Sequence, residues 1–266
     1  MISVDGDKME ILLSIKNVSK YFGGLAANKN LSFDIEKGEI IGLIGPNGSG
    51  KTTLINVITG NYAADQGSVR FKVHEILGLK PYTINRLGIA RTYQVVQPFV
   101  GMSVRENVIS GVLFGRNGKG RKMKAAWEKA DEVLELCHMQ EKKNEMVENL
   151  TIADVKRLEI AKAMATDPDL LLLDEGMAGL NPKEIDDALE LITKINKMGI
   201  TLLVVEHVMK AVMSISQRVV VLHQGLLMAI GTPETIVRDE QVIKAYLGEK
   251  YTLRQKNRER LRGYDS

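Results

Sequence analysis

Short apolar segments recur along the chain in two patterns. Residues 11–18 and 31–35 alternate between apolar and polar positions, as half-buried β-strands do. The runs 39–44, 169–173 and 200–205 are apolar at nearly every position. Such runs are typical of strands that are buried on both faces of a sheet. The pattern therefore predicts both half-exposed and fully buried strands.

Other segments follow a helical period or predict a hairpin. In 125–139 apolar residues recur every three or four positions, and its surroundings at 98–165 look more helical than their flanks. The segment 182–198 begins with a proline, which suits the first turn of a helix. The apolar runs 218–222 and 226–230 flank a turn. Because strands alternate with helices, we expect an α/β protein with a mostly parallel sheet covered on both faces.

Composition indicates an ordinary globular protein. Of 266 residues, 44% are apolar and 26% are charged, and the formal net charge of +3 is too small to indicate a nucleic-acid partner. The single cysteine excludes an internal disulfide and fits a reducing compartment. The N-terminus lacks the layout of a signal peptide, and the apolar runs are too short to cross a bilayer. We therefore expect any membrane role to depend on a partner.

The segment 45–53 carries the pattern G-x-x-x-x-G-K-[ST] between a predicted strand and a predicted helix. This is the phosphate-binding loop of P-loop proteins, in which backbone N–H groups and a helix N-terminus face the phosphates. Lys51 is expected to reach the β- and γ-phosphates, and Thr52 to hold Mg²⁺. The predicted nucleotide-binding positions of the loop are Gly45, Pro46, Asn47, Gly48, Ser49, Gly50, Lys51, Thr52 and Thr53.

Two carboxylates, Asp174 and Glu175, directly follow the apolar run of four leucines after Asp169. Ligands of open parallel sheets bind at the carboxyl ends of strands, so this pair is expected beside the phosphate loop. One carboxylate can orient Mg²⁺, and the adjacent one can polarise an attacking water. The sequence thus predicts a site for ATP hydrolysis.

These motifs, in this order, resemble those of the ATP-binding subunits of ABC transporters. Tyr21 looks like the aromatic residue that stacks on adenine, and Gln94 looks like the glutamine that senses Mg²⁺ and couples to the membrane subunit. His207 looks like the switch histidine that contacts the γ-phosphate, and 178–181 like the loop that crosses to a second nucleotide site. The resemblance implies ATP and Mg²⁺ as cofactors, Glu175, His207 and Gln94 as catalytic residues, and Thr52, Gln94 and Asp174 around the metal.

The resemblance also implies a domain organisation. We expect an ABC ATPase domain at 10–250, with a P-loop NTPase core, an antiparallel β subdomain and a helical subdomain at about 98–165. Residues 251–266 would form a basic C-terminal tail. A second basic stretch at 115–124 is interpreted, like the tail, as solvated surface in preference to an anion- or membrane-binding site.

Five segments look most similar to the ATP-binding subunits of branched-chain amino-acid importers: 87–92, 157–161, 177–182, 231–234 and 245–249. The implied function is ATP hydrolysis that drives import of branched-chain or other amino acids. The implied partners are permease subunits in the membrane, a second ATPase subunit in a homo- or heterodimer and, indirectly, a substrate-binding protein. The implied location is the cytoplasmic face of the membrane.

Three alternatives remain open. ATPases of lipopolysaccharide-type exporters look similar to this chain. A regulatory subunit that binds ATP with weak hydrolysis is a second alternative, although Asp174, Glu175 and His207 are all present. A soluble ABC protein of DNA repair or translation is disfavoured, because those usually carry two nucleotide domains or a long coiled-coil insertion.

The chain departs from the family pattern at the signature segment, 150–154, which in the family caps the γ-phosphate bound to the other subunit. Thr151 keeps a hydroxyl, but Ala153 replaces a glycine and Asp154 replaces a neutral glutamine. Thr151 and Ala153 are the predicted nucleotide contacts here. Gly176 stands where the family has a proline after its catalytic glutamate.

Two interpretations of the altered signature segment are possible. A methyl group limits the approach of the backbone, and a carboxylate repels a triphosphate unless a cation such as Lys156 or Arg157 pairs it. Either the segment is a tolerated variant, or it gives the partner subunit a weaker cap and makes the two hydrolysis sites unequal.

Overall fold

The computed structural model describes residues 10–94, 96–206 and 208–246. The strands in these ranges are β1 (Ile11–Phe22), β2 (Leu25–Glu36), β3 (Ile40–Ile44), β4 (Gln66–Phe71), β5 (His74–Glu75), β6 (Ile89–Arg91), β7 (Leu170–Asp174), β8 (Thr201–Val205), β9 (Arg218–His223) and β10 (Leu226–Gly231). The α-helices with both ends in these ranges are α1 (Lys51–Ile58), α2 (Pro81–Leu87), α3 (Val104–Phe114), α4 (Met123–Leu136), α5 (Ile152–Met164), α6 (Pro182–Lys197), α7 (Met209–Ile215) and α8 (Pro233–Ile236).

The strands form two sheets. The larger has the order β10-β9-β3-β8-β7-β6, in which the neighbours from β9 to β6 are parallel and the β9–β10 hairpin is antiparallel. The smaller sheet has the order β2-β1-β4-β5 and is antiparallel throughout. The predicted α/β class with a mostly parallel sheet is confirmed, together with the predicted hairpin.

The buried strands divide their side chains between two cores. In β7, Leu170 and Leu172 join the cluster that contains α1 and the smaller sheet, whereas Leu171 and Leu173 join the cluster that contains α3 to α6. Successive side chains of a strand point to opposite faces, so a strand covered on both sides must be apolar at every position. This explains the continuous apolar run that precedes Asp174.

Helices α3, α5 and α6 begin at residues whose side chains cap them. The Asn181 side chain accepts a hydrogen bond from the Glu184 N–H, and the Glu184 carboxylate accepts one from the Asn181 N–H. Helix α6 therefore starts with a capping box, and Pro182 is its first residue. Ser103 and Glu106 make the same box at the start of α3. No helix in the described part of the chain is long and apolar enough to cross a membrane. The basic tail predicted at 251–266 lies outside the described residues.

Candidate nucleotide site

The phosphate loop connects the buried end of β3 to the first residue of α1, Lys51. Its glycines adopt a backbone that other residues resist: φ is 154° at Gly45, 77° at Gly48 and 101° at Gly50. A Cβ atom at Gly50 would also collide with the Ala27 carbonyl oxygen. The loop therefore needs glycine at Gly50 both for its conformation and for its close packing against β2.

The start of α1 is suited to an anion. Among the described residues, no side chain caps this helix and its first turn holds no acidic residue. The N–H groups of the first turn and the positive end of the helix dipole thus face the loop. The Lys51 ammonium lies inside the loop, where it donates to the carbonyl oxygens of Gly45 at 2.7 Å and Pro46 at 3.1 Å.

A pocket of about 600 Å³ lies against this loop. The loop residues from Asn47 to Thr53 line it, and Glu175 lies at the same pocket. The predicted catalytic carboxylate and seven of the nine predicted nucleotide-binding positions of the loop therefore share one cavity. Thr151 and Ala153 do not line it.

The aromatic residue at this pocket is Phe22, not Tyr21 as the sequence suggested. Phe22 is 45% exposed and packs edge-on against Tyr62, with ring centroids 5.4 Å apart. The Tyr21 N–H donates instead to Asp65 at 2.6 Å. Neighbouring residues of a strand point to opposite faces, so only one of the two can face the pocket.

Asp174 ends β7 with its side chain 1% exposed. Burial raises the pKa of its carboxyl above the ordinary value, and the nearby Arg91 guanidinium opposes that rise. Oδ2 accepts from Arg91 at 3.0 Å, whereas Oδ1 is buried without a hydrogen-bond partner among the described residues. An unsatisfied carboxylate oxygen is the kind of hard ligand that Mg²⁺ prefers.

The other predicted metal ligands share a cavity with Asp174. Thr52, Gln94 and Asp174 all line a second cavity of about 750 Å³, which Arg91 also lines. The residues present therefore fit a magnesium site between the start of α1, the loop that carries Gln94 and the end of β7.

Glu175 and Gln94 are in direct contact. Gln94 Nε2 donates to Glu175 Oε2 at 2.6 Å, although the two residues come from different loops. Glu175 has a φ of 52°, in the left-handed region that non-glycine residues seldom adopt. A strained backbone persists only where the surrounding structure holds it, and such residues cluster at functional sites. The conformation of Glu175 is therefore consistent with a functional position. His207 lies outside the described residues.

Comparison with known proteins identifies the family. Residues 28–178, more than half of the chain, match the family model described as ABC transporter, and residues 227–252 match one described as branched-chain amino acid ATP-binding cassette transporter. The chain belongs to the ABC transporter family. It is an ABC ATPase cassette, as the resemblance of its motifs implied.

Several ABC relatives are similar over nearly their whole length. LivG of Salmonella typhimurium, a high-affinity branched-chain amino acid transport ATP-binding protein, is 41% identical over 90% of this chain and 98% of its own. BraF of Pseudomonas aeruginosa, which bears the same description, is 40% identical over the same shares. A solved ATP-binding cassette of an ABC transporter superposes with a TM-score of 0.82 at 32% identity, covering 90% of this chain and 99% of that one.

In the ABC signature segment, 150–154, the hydroxyl of Thr151 and the carboxylate of Asp154 are hydrogen-bonded to each other. Thr151 caps α5 by accepting from the Asp154 N–H at 3.2 Å, and its hydroxyl donates to Asp154 Oδ2 at 2.6 Å. Asp154 is paired by Lys142 Nζ at 2.5 Å, not by Lys156 or Arg157 as the sequence suggested. Those two cations contact Ala178 and Asp187, respectively.

Sequence reasoning missed four contacts of this ABC site. They are the position of Phe22 at the pocket, the Arg91–Asp174 pair, the Lys142–Asp154 pair and the contacts of Glu206 with the turn after Glu175. For Glu206 the sequence offered one signal: it directly follows an apolar run, which indicates that its carboxylate lies at the end of a strand.

Proposed function

We propose that this chain is the ATP-hydrolysing subunit of a membrane importer for branched-chain or other amino acids. The observation that carries the proposal is that residues of the phosphate loop and Glu175 line the same pocket. The described relatives that transport branched-chain amino acids support the choice of cargo.

Binding of ATP follows from the loop. The N–H groups of the first turn of α1 and the Lys51 ammonium would hold the phosphates, because both present positive charge inside a preformed glycine loop. Phe22, at the same pocket, would pack against the base. Thr52, Gln94 and Asp174 would hold Mg²⁺, which supplies charge neutralisation at the β- and γ-phosphate oxygens.

Hydrolysis requires a group that orients a water molecule. Glu175 would accept a proton from that water, and the Gln94 amide, 2.6 Å away, would fix the direction of its carboxylate. His207 would contact the γ-phosphate, as the family resemblance implies. Two such subunits would enclose the nucleotide, and the membrane permease would respond to their opening.

Substitution of Glu175 tests the proposal. In the complex of the full chain with its permease and partner subunits, Glu175→Gln should lower ATP turnover by about 10²- to 10⁴-fold, the usual contribution of a general base. It should leave ATP binding intact and trap an ATP-bound dimer. Glu190→Gln changes an exposed glutamate on α6 and serves as the control. Turnover of Glu175→Gln near that of the wild type would refute the proposed role.

A further inference from the structure

The turn that follows Glu175 has few restraints of its own. Glu175 holds a strained backbone with a φ of 52°, and the next residue is Gly176, the most flexible residue type. Among the described residues, a Cβ atom at Gly176 would approach only Glu206 Oε1, at 3.9 Å. The position of the Glu175 carboxylate must therefore depend on what holds the backbone on its far side.

Glu206 holds that backbone from one side. It follows the last residue of β8 and is 3% exposed. Its Oε1 accepts a hydrogen bond of 2.7 Å from the backbone N–H of Met177. Breaking a buried hydrogen bond leaves a buried polar group unsatisfied at a cost in free energy, so this contact fixes the chain two residues after Glu175.

Lys156 holds the same backbone one residue further along the chain, at Ala178. It projects from α5 and donates from Nζ to the carbonyl oxygen of Ala178. Burial lowers the pKa of this ammonium, while the nearby carboxylates of Glu206 and Glu175 oppose the change. Lys156 is thus close to both carboxylates, and two charged side chains from different elements bind consecutive residues of the turn.

One cavity joins these groups. Lys156, Glu206, Glu175 and Gly176 all line it, together with Gln94, the hydrogen-bond partner of Glu175. The residues that fix the turn and the residues that direct the carboxylate are therefore neighbours in space. A shift of the turn would change the direction of the carboxylate.

We propose that Lys156 and Glu206 are positioning residues that grip the backbone at Met177 and Ala178 and thereby aim the Glu175 carboxylate at the attacking water. The inference rests on the proposed function, because it concerns the same hydrolytic site. A proline at position 176 would restrict the backbone of this turn. Because the residue there is Gly176, the hydrogen bonds from Lys156 and to Glu206 restrict that backbone instead.

The first test separates positioning from binding. In the complex with permease and partner subunits, Lys156→Met keeps an apolar stem but removes the donor, and Glu206→Ala removes the acceptor. Both should lower kcat by about tenfold or more and leave KM for ATP nearly unchanged, since small displacements of a catalytic group reduce rate by up to about 10²-fold. Lys197→Met, at an exposed lysine of α6, should change neither constant.

Conservative variants keep the test decisive if Glu206→Ala does not fold. Lys156→Arg keeps a donor and Glu206→Gln keeps an acceptor for the Met177 N–H. Both should retain most of the wild-type kcat. If Glu206→Gln folds but loses as much turnover as Lys156→Met, the charge of Glu206 and not its acceptor oxygen is what matters, and the positioning role is overturned.

Non-additivity provides the second test. If both residues act through Glu175, then Lys156→Met should not lower the residual rate of Glu175→Gln any further. Independent, multiplying losses would overturn the inference. Normal turnover in Glu175→Gln would instead refute the proposed function and this inference with it. A third outcome would refute this inference and leave the proposed function standing. In that outcome Glu175→Gln loses turnover, whereas Lys156→Met and Glu206→Ala both turn over ATP at the wild-type rate.

Discussion

Arg91 Nη2 lies 3.0 Å from Asp174 Oδ2, and the two side chains are 7% and 1% exposed. The same guanidinium donates from Nη1 to Asn56 at 2.7 Å and lies over the Tyr93 ring. Arg91 therefore ties α1, which follows the phosphate loop, to β7, which ends at Asp174, the aspartate proposed to hold Mg²⁺. The pair compensates a charge that burial alone would disfavour.

Arg91→Met should destabilise the protein by about 3–5 kcal/mol, because it leaves the buried Asp174 charge without its partner. The cost should depend on pH. Burial raises the pKa of Asp174 when folded, so its contribution to stability is full below about pH 4 and falls as pH rises through the folded pKa. Without Arg91 this fall should be larger, so the deficit should be greater at neutral than at acidic pH.

Urea unfolding of both proteins across this pH range measures the effect. Arg86→Met is the matched control, because Arg86 is exposed and contacts only the Tyr82 ring among the interactions described for it. An equal, pH-independent loss in the two variants would contradict the compensating role of Arg91.

A second prediction concerns the start of α5. Burial would raise the pKa of Asp154, but the hydrogen bonds from Lys142 and Thr151 outweigh it and place that pKa below the ordinary value. The stabilisation is therefore present above about pH 4 and is lost as pH falls through the folded pKa. Lys142→Met should cost about 1 kcal/mol at neutral pH, a modest value because the lysine is 38% exposed.

The measurement is the free energy of unfolding as a function of pH. Lys142→Met should also lose less stability on acidification than the wild type, because its Asp154 pKa is closer to that of the unfolded chain. Lys129→Met removes another lysine that pairs with a glutamate, on the surface of α4, and should change neither quantity by more than a few tenths of a kcal/mol. Parallel acid profiles in wild type and Lys142→Met would exclude this pairing.

Cys137 provides a third prediction. It is completely buried, and burial raises the pKa of its thiol to about 12. The reactive thiolate is thus nearly absent from the folded protein at neutral pH. A thiol reagent should label native Cys137 orders of magnitude more slowly than the urea-unfolded chain. In a Cys137→Ala background, Met198→Cys places a thiol at a 59% exposed position and should react at similar rates in both states. Rapid native labelling of Cys137 would contradict its burial.

The parts of the site that sequence could predict are local. The loop from Gly45 to Thr53 and the strand ending at Asp174 follow from short motifs and from apolar patterns, which depend only on neighbouring residues. The choice between Tyr21 and Phe22 depends on the register of β1 against β2, which shifts between Lys20 and Tyr21. Such an irregularity changes which side chain faces inward and leaves no clear mark in the sequence pattern.

Charge pairing was less predictable for a related reason. Lys156 and Arg157 are nearest to Asp154 in sequence, but the helical path of α5 carries them toward the turn after Glu175 and toward α6. Lys142 reaches Asp154 because a 3-10 turn at Gln140–Lys142 brings it to the start of α5. Partner choice is thus set by the packing of elements, which spacing along the chain does not encode.

The last prediction concerns the signature segment and the equality of the two ATP sites. The Asp154 carboxylate offsets the positive end of α5, and the Thr151 hydroxyl already donates to that carboxylate. A segment with its donor engaged and its dipole offset should cap a partner's γ-phosphate weakly, which gives one strong and one weak hydrolysis site in a heterodimer. Ala153→Gly combined with Asp154→Gln should therefore raise ATP turnover or ATP affinity of the assembled transporter on the order of tenfold, the value of one charged hydrogen bond.

The matched control is Asp186→Gln, which makes the same chemical change at an exposed position of α6. Steady-state ATPase rates and ATP affinity of the three assembled complexes distinguish the two interpretations of the segment. If the double substitution leaves both quantities unchanged, the altered signature is a tolerated variant. If either quantity rises while Asp186→Gln has no effect, the native Ala153 and Asp154 are what keep the partner's site weak.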